Sequence, residues 1–180
     1  MSSFAWGEKE TQYFFELTPD RILDSIEALG VECTGRVLTL NSMENRVYEV
    51  EVIVDDEQEI RSPSDRFRVA KFYRPGRWSE AQIQEEHQFL LDLQEEEIPV
   101  IAPLAFEGKT LHKMKDIDIW YTIFPKMGGR NPDELSDLQV EQIGRLLARM
   151  HNVGAVSKAP HRIQLSPETY GLQNLQFLLD

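Results

Sequence analysis

The spacing of apolar residues predicts a helix near the start of the chain, followed by three strands. Thr18 is a typical N-cap and Gly30 a typical stop, and the apolar residues between them share one helical face: Ile22, Ile26 and Leu29. Apolar and β-branched runs then predict strands at residues 36–40, 46–54 and 66–73. The polar stretch at 41–45 is expected to turn between the first two strands, and a charged connection at 55–65 precedes the third.

The remaining elements follow from two capping boxes and two further apolar runs. Ser79 and Gln82 predict a helix that reaches about residue 94. Two more strands are predicted near residues 102–106 and 117–124. A second capping box at Ser136 starts a third helix that is predicted to end at Gly154, with four apolar residues on one face: Val140, Ile143, Leu147 and Met150.

This order of elements determines the predicted fold class. Neighbouring strands joined by short turns favour an antiparallel sheet with a helix packed on it, which is an α+β arrangement. The glycine-rich link at 127–132 is predicted to separate two lobes.

Composition and charge exclude several classes of partner. The 180 residues carry a net charge of −12, and an acidic surface repels nucleic-acid phosphates and anionic lipid. Cys33 is the one cysteine of the sequence, so no disulfide can form within the chain. The first ten residues lack the basic and apolar regions of a signal peptide, and no apolar run is long enough to span a bilayer. We therefore expect a cytoplasmic protein that binds neither nucleic acid nor membrane.

Two charged residues occupy positions where the pattern predicts apolar side chains. Lys71 lies inside the apolar strand segment 69–73, and Glu86 shares a helical face with Ile83, whereas Glu85 is predicted to point the opposite way. A buried carboxylate needs a cationic partner or a proton, and a helix folded back over the preceding strand would bring Glu86 to Lys71. The alternative is that Lys71 extends to the sheet edge and that Glu86 lies at the margin of the apolar face.

Five segments, in order along the chain, resemble a known family. They are "NSMENRVYEV", "KFYRPGRWSEAQIQEEHQFL", "IPVIAPLAF", "FPKMGGR" and "IGRLLARMHNVG". Together they are similar to the bacterial stress response kinase A family, which is grouped with the aminoglycoside and choline phosphotransferase-like kinases. The resemblance covers residues 12–180 and implies a protein-kinase-like fold. It implies a nucleotide-binding lobe at 1–125 and the first helices of a helical catalytic lobe at 126–180.

The resemblance also implies roles for individual residues. Lys71 would bind the phosphates of ATP, and Glu86 would be its ion-pair partner. The turn between the first two strands would lie where protein kinases have a glycine-rich loop; its residues are Ser42, Met43, Glu44 and Asn45. Because this turn has no glycine, backbone N–H groups would contact the phosphates, with the Ser42 and Asn45 side chains nearby. The alternative is an ordinary hairpin turn.

The segment "IFPK" matches the hinge of the family, where the backbone would bind adenine. Pro125 has no N–H group, so Phe124 or Met127 would be the donor.

Other parts of the family's active site are missing from the sequence. The family needs H-x-D followed by Asn, and a later Asp for Mg²⁺, but none of the four histidines is followed by Asp two residues later. His151 is interpreted as a core or capping histidine, and Asp116 with Asp118 as a solvated turn. We therefore expect no metal ligands in these residues. We also expect that the chain is the front part of a longer protein and that it transfers no phosphoryl group by itself.

Three functions are compatible with the sequence. The resemblance favours an ATP-dependent Ser/Thr protein kinase that uses Mg²⁺ and is a monomer at full length. The alternative within the same class is a kinase of small hydroxyl-bearing molecules such as choline or aminoglycosides. The alternative from another class is a nucleotide-binding module that performs no chemistry.

Overall fold

The computed structural model describes residues 14–55, 60–129 and 132–179. The beginning of the predicted nucleotide lobe, the centre of the 55–65 connection, two residues of the 127–132 link and Asp180 lie outside these ranges.

The first helix, α1 (Pro19–Glu27), forms as the capping pattern predicts. The Thr18 side chain accepts a hydrogen bond from the backbone of Arg21 at the N-terminus of the helix. Ile22 and Ile26 are fully buried on its inner face, so the apolar spacing of the sequence identifies the packed side of this helix.

One antiparallel sheet carries the predicted site. Its strands are β1 (Cys33–Leu40), β2 (Arg46–Val52), β3 (Phe67–Phe72), β4 (His112–Lys113) and β5 (Trp120–Pro125), in the spatial order β1-β2-β3-β5-β4. All neighbouring strands pair antiparallel. The predicted α+β class is confirmed.

The predicted strand at 102–106 is wrong. Ala102 and Pro103 are consecutive buried positions, which does not match the alternating exposure of a half-buried strand. This segment instead crosses the sheet edge, where the Leu104 N–H donates to the carbonyl of Ile123 and Phe106 forms one isolated bridge with Lys109.

Alternation along β3 sends its side chains to two different cores. Ala70 and Phe72 belong to the cluster that packs against α1. Tyr73, one residue past the end of the strand, packs with Ile83 of α2 (Glu80–Glu95) on the other face of the sheet. The odd-numbered positions of β3, including Lys71, are therefore on the side where α2 lies.

Two further helices follow the sheet, α3 (Asp137–Val156) and α4 (Gln173–Leu179), with a short π-helical turn at Glu168–Leu172. The Ser136–Gln139 capping box forms as predicted, but α3 continues two residues beyond Gly154. Arg149 of α3 donates to the carbonyl of Glu96 at the end of α2, with a distance of 2.8 Å. In the described parts of the chain, no helix combines the length and the apolar composition needed to cross a bilayer.

Candidate functional site

The charged residues of β3 and α2 form an ion pair. Lys71 Nζ lies 2.9 Å from Glu86 Oε1, and the two side chains are 22% and 32% exposed. Lys71 Nζ also lies 4.5 Å from the centre of the Tyr73 ring, a distance at which a cation is attracted to the ring face. The predicted pairing of Lys71 with Glu86 is confirmed. Because the pair is partly open to solvent, a ligand can approach the Lys71 ammonium group without a rearrangement of the pair.

A second cation, which the sequence did not identify, contacts Glu86. Arg162 Nη1 lies 3.4 Å from Glu86 Oε2 and 3.2 Å from the carbonyl oxygen of Gln82. Its guanidinium carbon is 4.9 Å from the centre of the Trp78 ring. The two carboxylate oxygens of Glu86 therefore face two different cations, Lys71 on one side and Arg162 on the other.

Glu85, which is predicted to point the opposite way from Glu86, also forms contacts. Its carboxylate accepts from the backbone N–H of His161, with 3.1 Å to each oxygen, and from the His161 ring at 2.6 Å. Burial alone would raise the pKa of Glu85, but these hydrogen bonds lower it below its usual range. The helical wheel identified the side of α2 that faces the sheet, whereas Glu85 faces a segment that follows α3.

The turn at 41–45 is attached to the connection between β3 and α2. Glu44 accepts a 2.7 Å hydrogen bond from the Trp78 indole and lies 3.4 Å from Arg77 Nε. Asn45 accepts from the backbone N–H of Arg74 at 3.2 Å. The acceptor oxygens of these two side chains are thus directed at residues 74–78. The other two predicted residues differ in exposure: Ser42 is half-buried and Met43 is fully exposed.

The pairing of β3 with β5 determines which hinge N–H groups can reach a ligand. Tyr73 N–H donates to the Trp120 carbonyl at 2.8 Å, and antiparallel hydrogen-bonded pairs recur every second residue. Two and four residues further along the register, Lys71 faces Thr122 and Val69 faces Phe124. The Phe124 N–H is therefore directed at β3. Met127 lies beyond the end of β5, and its side chain is 62% exposed.

Two histidines, His87 of α2 and His112 of β4, lie beside a common cavity. His87 is 1% exposed, and its ring nitrogens lie 2.9 Å from the Tyr73 hydroxyl and 2.9 Å from Thr110 Oγ1. Burial lowers the pKa of His87 to about 4 and also lowers the pKa of His112. A cavity of about 740 Å³ lies beside both rings and is lined by residues of α2 and of the β4–β5 hairpin. Neither Lys71 nor Glu86 lines this cavity, so it is separate from the predicted site.

The acidic residues that superficially resemble a metal pair lie in the β4–β5 turn. Asp118 pairs with Lys113 at 2.8 Å, and both side chains are largely exposed. Throughout ranges 14–55, 60–129 and 132–179, no three His, Cys, Asp or Glu side chains form a possible metal site. His151 is exposed within α3, whose caps are Ser136 and Ser157, so its interpretation as a core or capping histidine is wrong.

Comparisons with known proteins place this geometry in a family. The profile of the phosphotransferase enzyme family matches residues 39–176. "Stress response kinase A" of Shigella flexneri is 40% identical over 157 residues, which cover 87% of this chain and 44% of that protein. "Serine/threonine protein kinase RdoA" of Salmonella typhimurium is 44% identical over 142 residues, which cover 78% of this chain and 39% of that protein. The chain spans less than half the length of these relatives.

A solved structure gives the same fold. Amicoumacin kinase hAmiN, in complex with AMP-PNP, Ca²⁺ and Ami, matches 94% of this chain and 50% of its own, with a TM-score of 0.66 and 18% identity. The relatives named above confirm the resemblance to the stress response kinase A family, and the solved structure confirms the kinase-like fold.

Proposed function

This chain belongs to the phosphotransferase enzyme family, and from this we propose that the full-length protein is an ATP-dependent kinase with Lys71 as its phosphate-binding cation. The observation that supports this most directly is the Lys71–Glu86 pair, at 2.9 Å and partly open to solvent. A cation that is fixed by a carboxylate and still accessible can bind the negative oxygens of a nucleotide and stabilise the charge of a transferring phosphoryl group.

The remaining nucleotide contacts in the proposal come from backbone groups. The turn at 41–45 would offer its N–H groups and the Ser42 hydroxyl to the phosphates. Because the Phe124 N–H is directed at β3, we assign the adenine contact to the N–H of Met127. Glu44 is anionic and already bound by Arg77 and Trp78, so its proposed part is to hold the turn in place.

The metal and the catalytic base have no assigned residues. Mg²⁺ enters the proposal because phosphoryl transfer in this family uses it to neutralise phosphate charge. The residues that the structure describes do not fit a metal site, so other residues of the full-length protein would have to hold the ion. The steps assigned to this chain are nucleotide binding and orientation of the phosphates.

The acceptor is proposed to be a Ser or Thr hydroxyl of a protein. Relatives named stress response kinase A or Ser/Thr kinase are 40–44% identical to this chain, whereas the small-molecule kinase hAmiN is 18% identical. The localisation consistent with this function is the cytoplasm, where ATP is available.

The experiment compares full-length wild type with Lys71→Met, using radiolabelled ATP and two acceptor panels. One panel contains casein-type proteins, and the other contains aminoglycosides and amino alcohols. We expect label on protein Ser or Thr from the wild type and none from Lys71→Met. Label on the small molecules alone would refute the protein acceptor and support a kinase of small hydroxyl-bearing molecules. ATP binding without transfer to either panel would support the non-catalytic module, and no ATP binding would refute the proposal.

A further inference from the structure

The segment that follows α3 contacts α2 at two successive residues. His161 holds Glu85 through its ring and its backbone N–H, and the amide of Gln82 returns a hydrogen bond of 2.8 Å to the His161 carbonyl. Arg162 contacts the next carboxylate, Glu86. These contacts join residues separated by 76 to 80 positions in the sequence, so they fix one part of the fold against another.

We propose that Arg162 is a positioning residue for Lys71, acting through Glu86, and that His161 and Arg162 together form a latch that holds α2 in place. The proposal deepens the function above and rests on it where it concerns phosphoryl transfer. The latch is defined by these two residues and by their contacts with Gln82, Glu85 and Glu86.

The geometry at Glu86 supports an action through this carboxylate. A glutamate side chain has three rotatable bonds, and losing that freedom costs free energy. Lys71 occupies Oε1 at 2.9 Å, and Arg162 lies 3.4 Å from Oε2. Two cations on opposite oxygens restrict the rotation of the carboxylate more than Lys71 alone. The orientation of the Lys71 ammonium then depends on Arg162, which belongs to neither β3 nor α2.

Arg162 also contacts two residues other than Glu86, namely Gln82 and Trp78. One guanidinium nitrogen donates to the Gln82 carbonyl at 3.2 Å, and the guanidinium lies 4.9 Å from the Trp78 ring centre. A planar guanidinium can stack on an indole while it donates in its own plane, which a lysine ammonium cannot do. Arginine is therefore the residue suited to this position, and Arg162→Lys is expected to replace it only in part.

The test uses full-length protein without nucleotide and measures amide hydrogen exchange of α2. In Arg162→Ala we expect exchange at residues 80–95 to be about tenfold faster, since the helix loses a charged donor that binds Gln82 and Glu86. Exchange in β2 should not change. Arg162→Lys should be intermediate. The matched control is Arg145→Ala, which removes an exposed arginine paired with Glu141 within α3 and should leave α2 unchanged.

A double-mutant comparison separates positioning from simple packing. If Arg162 acts through Glu86, Arg162→Ala should accelerate exchange clearly less in a Glu86→Gln background than in wild type. Equal acceleration in both backgrounds would show that the effect comes only from Gln82 and Trp78, and would overturn the assignment. Unchanged α2 exchange in Arg162→Ala would overturn the latch as a whole.

Kinetics provide the functional arm. With a wild type that transfers phosphate, we expect Arg162→Ala to lower kcat about tenfold and to change the KM for ATP less than threefold, because positioning of Lys71 is needed most in the transition state. Unchanged kcat would overturn the positioning role. A wild type that neither binds nor uses ATP would refute the proposed function, while the exchange measurements would still decide whether Arg162 positions Glu86.

Discussion

The Tyr73 hydroxyl lies 2.9 Å from Nε2 of His87, and both side chains are buried between the sheet and α2. The other ring nitrogen of His87 lies 2.9 Å from Thr110 Oγ1. In its neutral form, His87 of α2 thus links the residue that follows β3 to the segment before β4. Because a charge there would lose its hydration, protonation of His87 and folding oppose each other.

Acidification is therefore expected to destabilise the protein through His87. Its folded pKa of about 4 lies below the ordinary value, so the unfolded chain takes up the proton first, near pH 6.5. The contribution to stability is complete above about pH 6.5 and is lost as the pH falls toward 4, by up to about 3 kcal/mol. Urea unfolding at several pH values in this window measures it.

The matched variants are His87→Gln and His151→Gln. His87→Gln lowers stability at pH 7.5 but should flatten the decline between pH 6.5 and 4.5, apart from the part that His112 contributes with the same sign. His151 is exposed, and its replacement should leave the profile as in wild type. An equally steep decline in His87→Gln would refute the assignment.

Substitutions of Lys71 should remove activity without unfolding the protein. Lys71→Met eliminates the cation but keeps an apolar stem of similar length, so we expect phosphoryl transfer to be lost while the thermal midpoint changes little. Lys71→Arg should also be impaired, because a planar guanidinium does not replace a compact ammonium. Steady-state kinetics and thermal unfolding of the full-length variants test this. A transfer rate within about threefold of wild type would contradict the role of Lys71, because it corresponds to a change of only about 0.65 kcal/mol in the activation free energy.

Met127 provides a test of the adenine contact. Met127→Pro removes the backbone N–H, whereas Met127→Ala removes only the exposed side chain. We expect ATP affinity to fall by about tenfold in Met127→Pro, because one hydrogen bond is lost, and to remain near wild type in Met127→Ala. Fluorescent-nucleotide titration measures both. Equal affinities would show that adenine does not bind this N–H.

The apolar face of α3 should cause the 180-residue chain to self-associate. Val140, Ile143 and Leu147 are 55%, 42% and 48% exposed, and full burial of such a side chain contributes about 1.5–3 kcal/mol. Replacing all three by Gln should lower the apparent mass in size exclusion with light scattering, without lowering the thermal midpoint. Replacing Glu141 and Arg145 by Gln is the control, since it changes two exposed polar residues of the same helix. A monomeric wild type would contradict the expectation.

The ion pair was predictable because both partners belong to local patterns. The period of two in β3 and the period of 3.6 in α2 each place one charge on an apolar face, and a short connection makes the two faces meet. The strand at 102–106 was predicted wrongly because an apolar run alone does not distinguish a strand from a buried extended segment. The two-residue β4 is too short to show any alternation.

Arg162 could not be found in the same way. It lies in a segment without clear periodicity, and its partners are on a helix about 80 positions earlier. A helical wheel also describes only the face toward the main core, so it predicts the direction of Glu85 but not the contact with His161 that leaves this side chain 16% exposed. Contacts formed by the folding of distant segments leave no local signal in one sequence.

Because the 41–45 turn is attached to residues 74–78, a movement of this turn would be coupled to a movement of the first turn of α2. Trp78 is held by Glu44, and Ser79 immediately after it caps α2. A nucleotide that draws the turn toward its phosphates would therefore do work on the first turn of the helix that carries Glu86. By thermodynamic reciprocity, if nucleotide binding strengthens the packing of that helix by some factor, the packed helix strengthens nucleotide binding by the same factor.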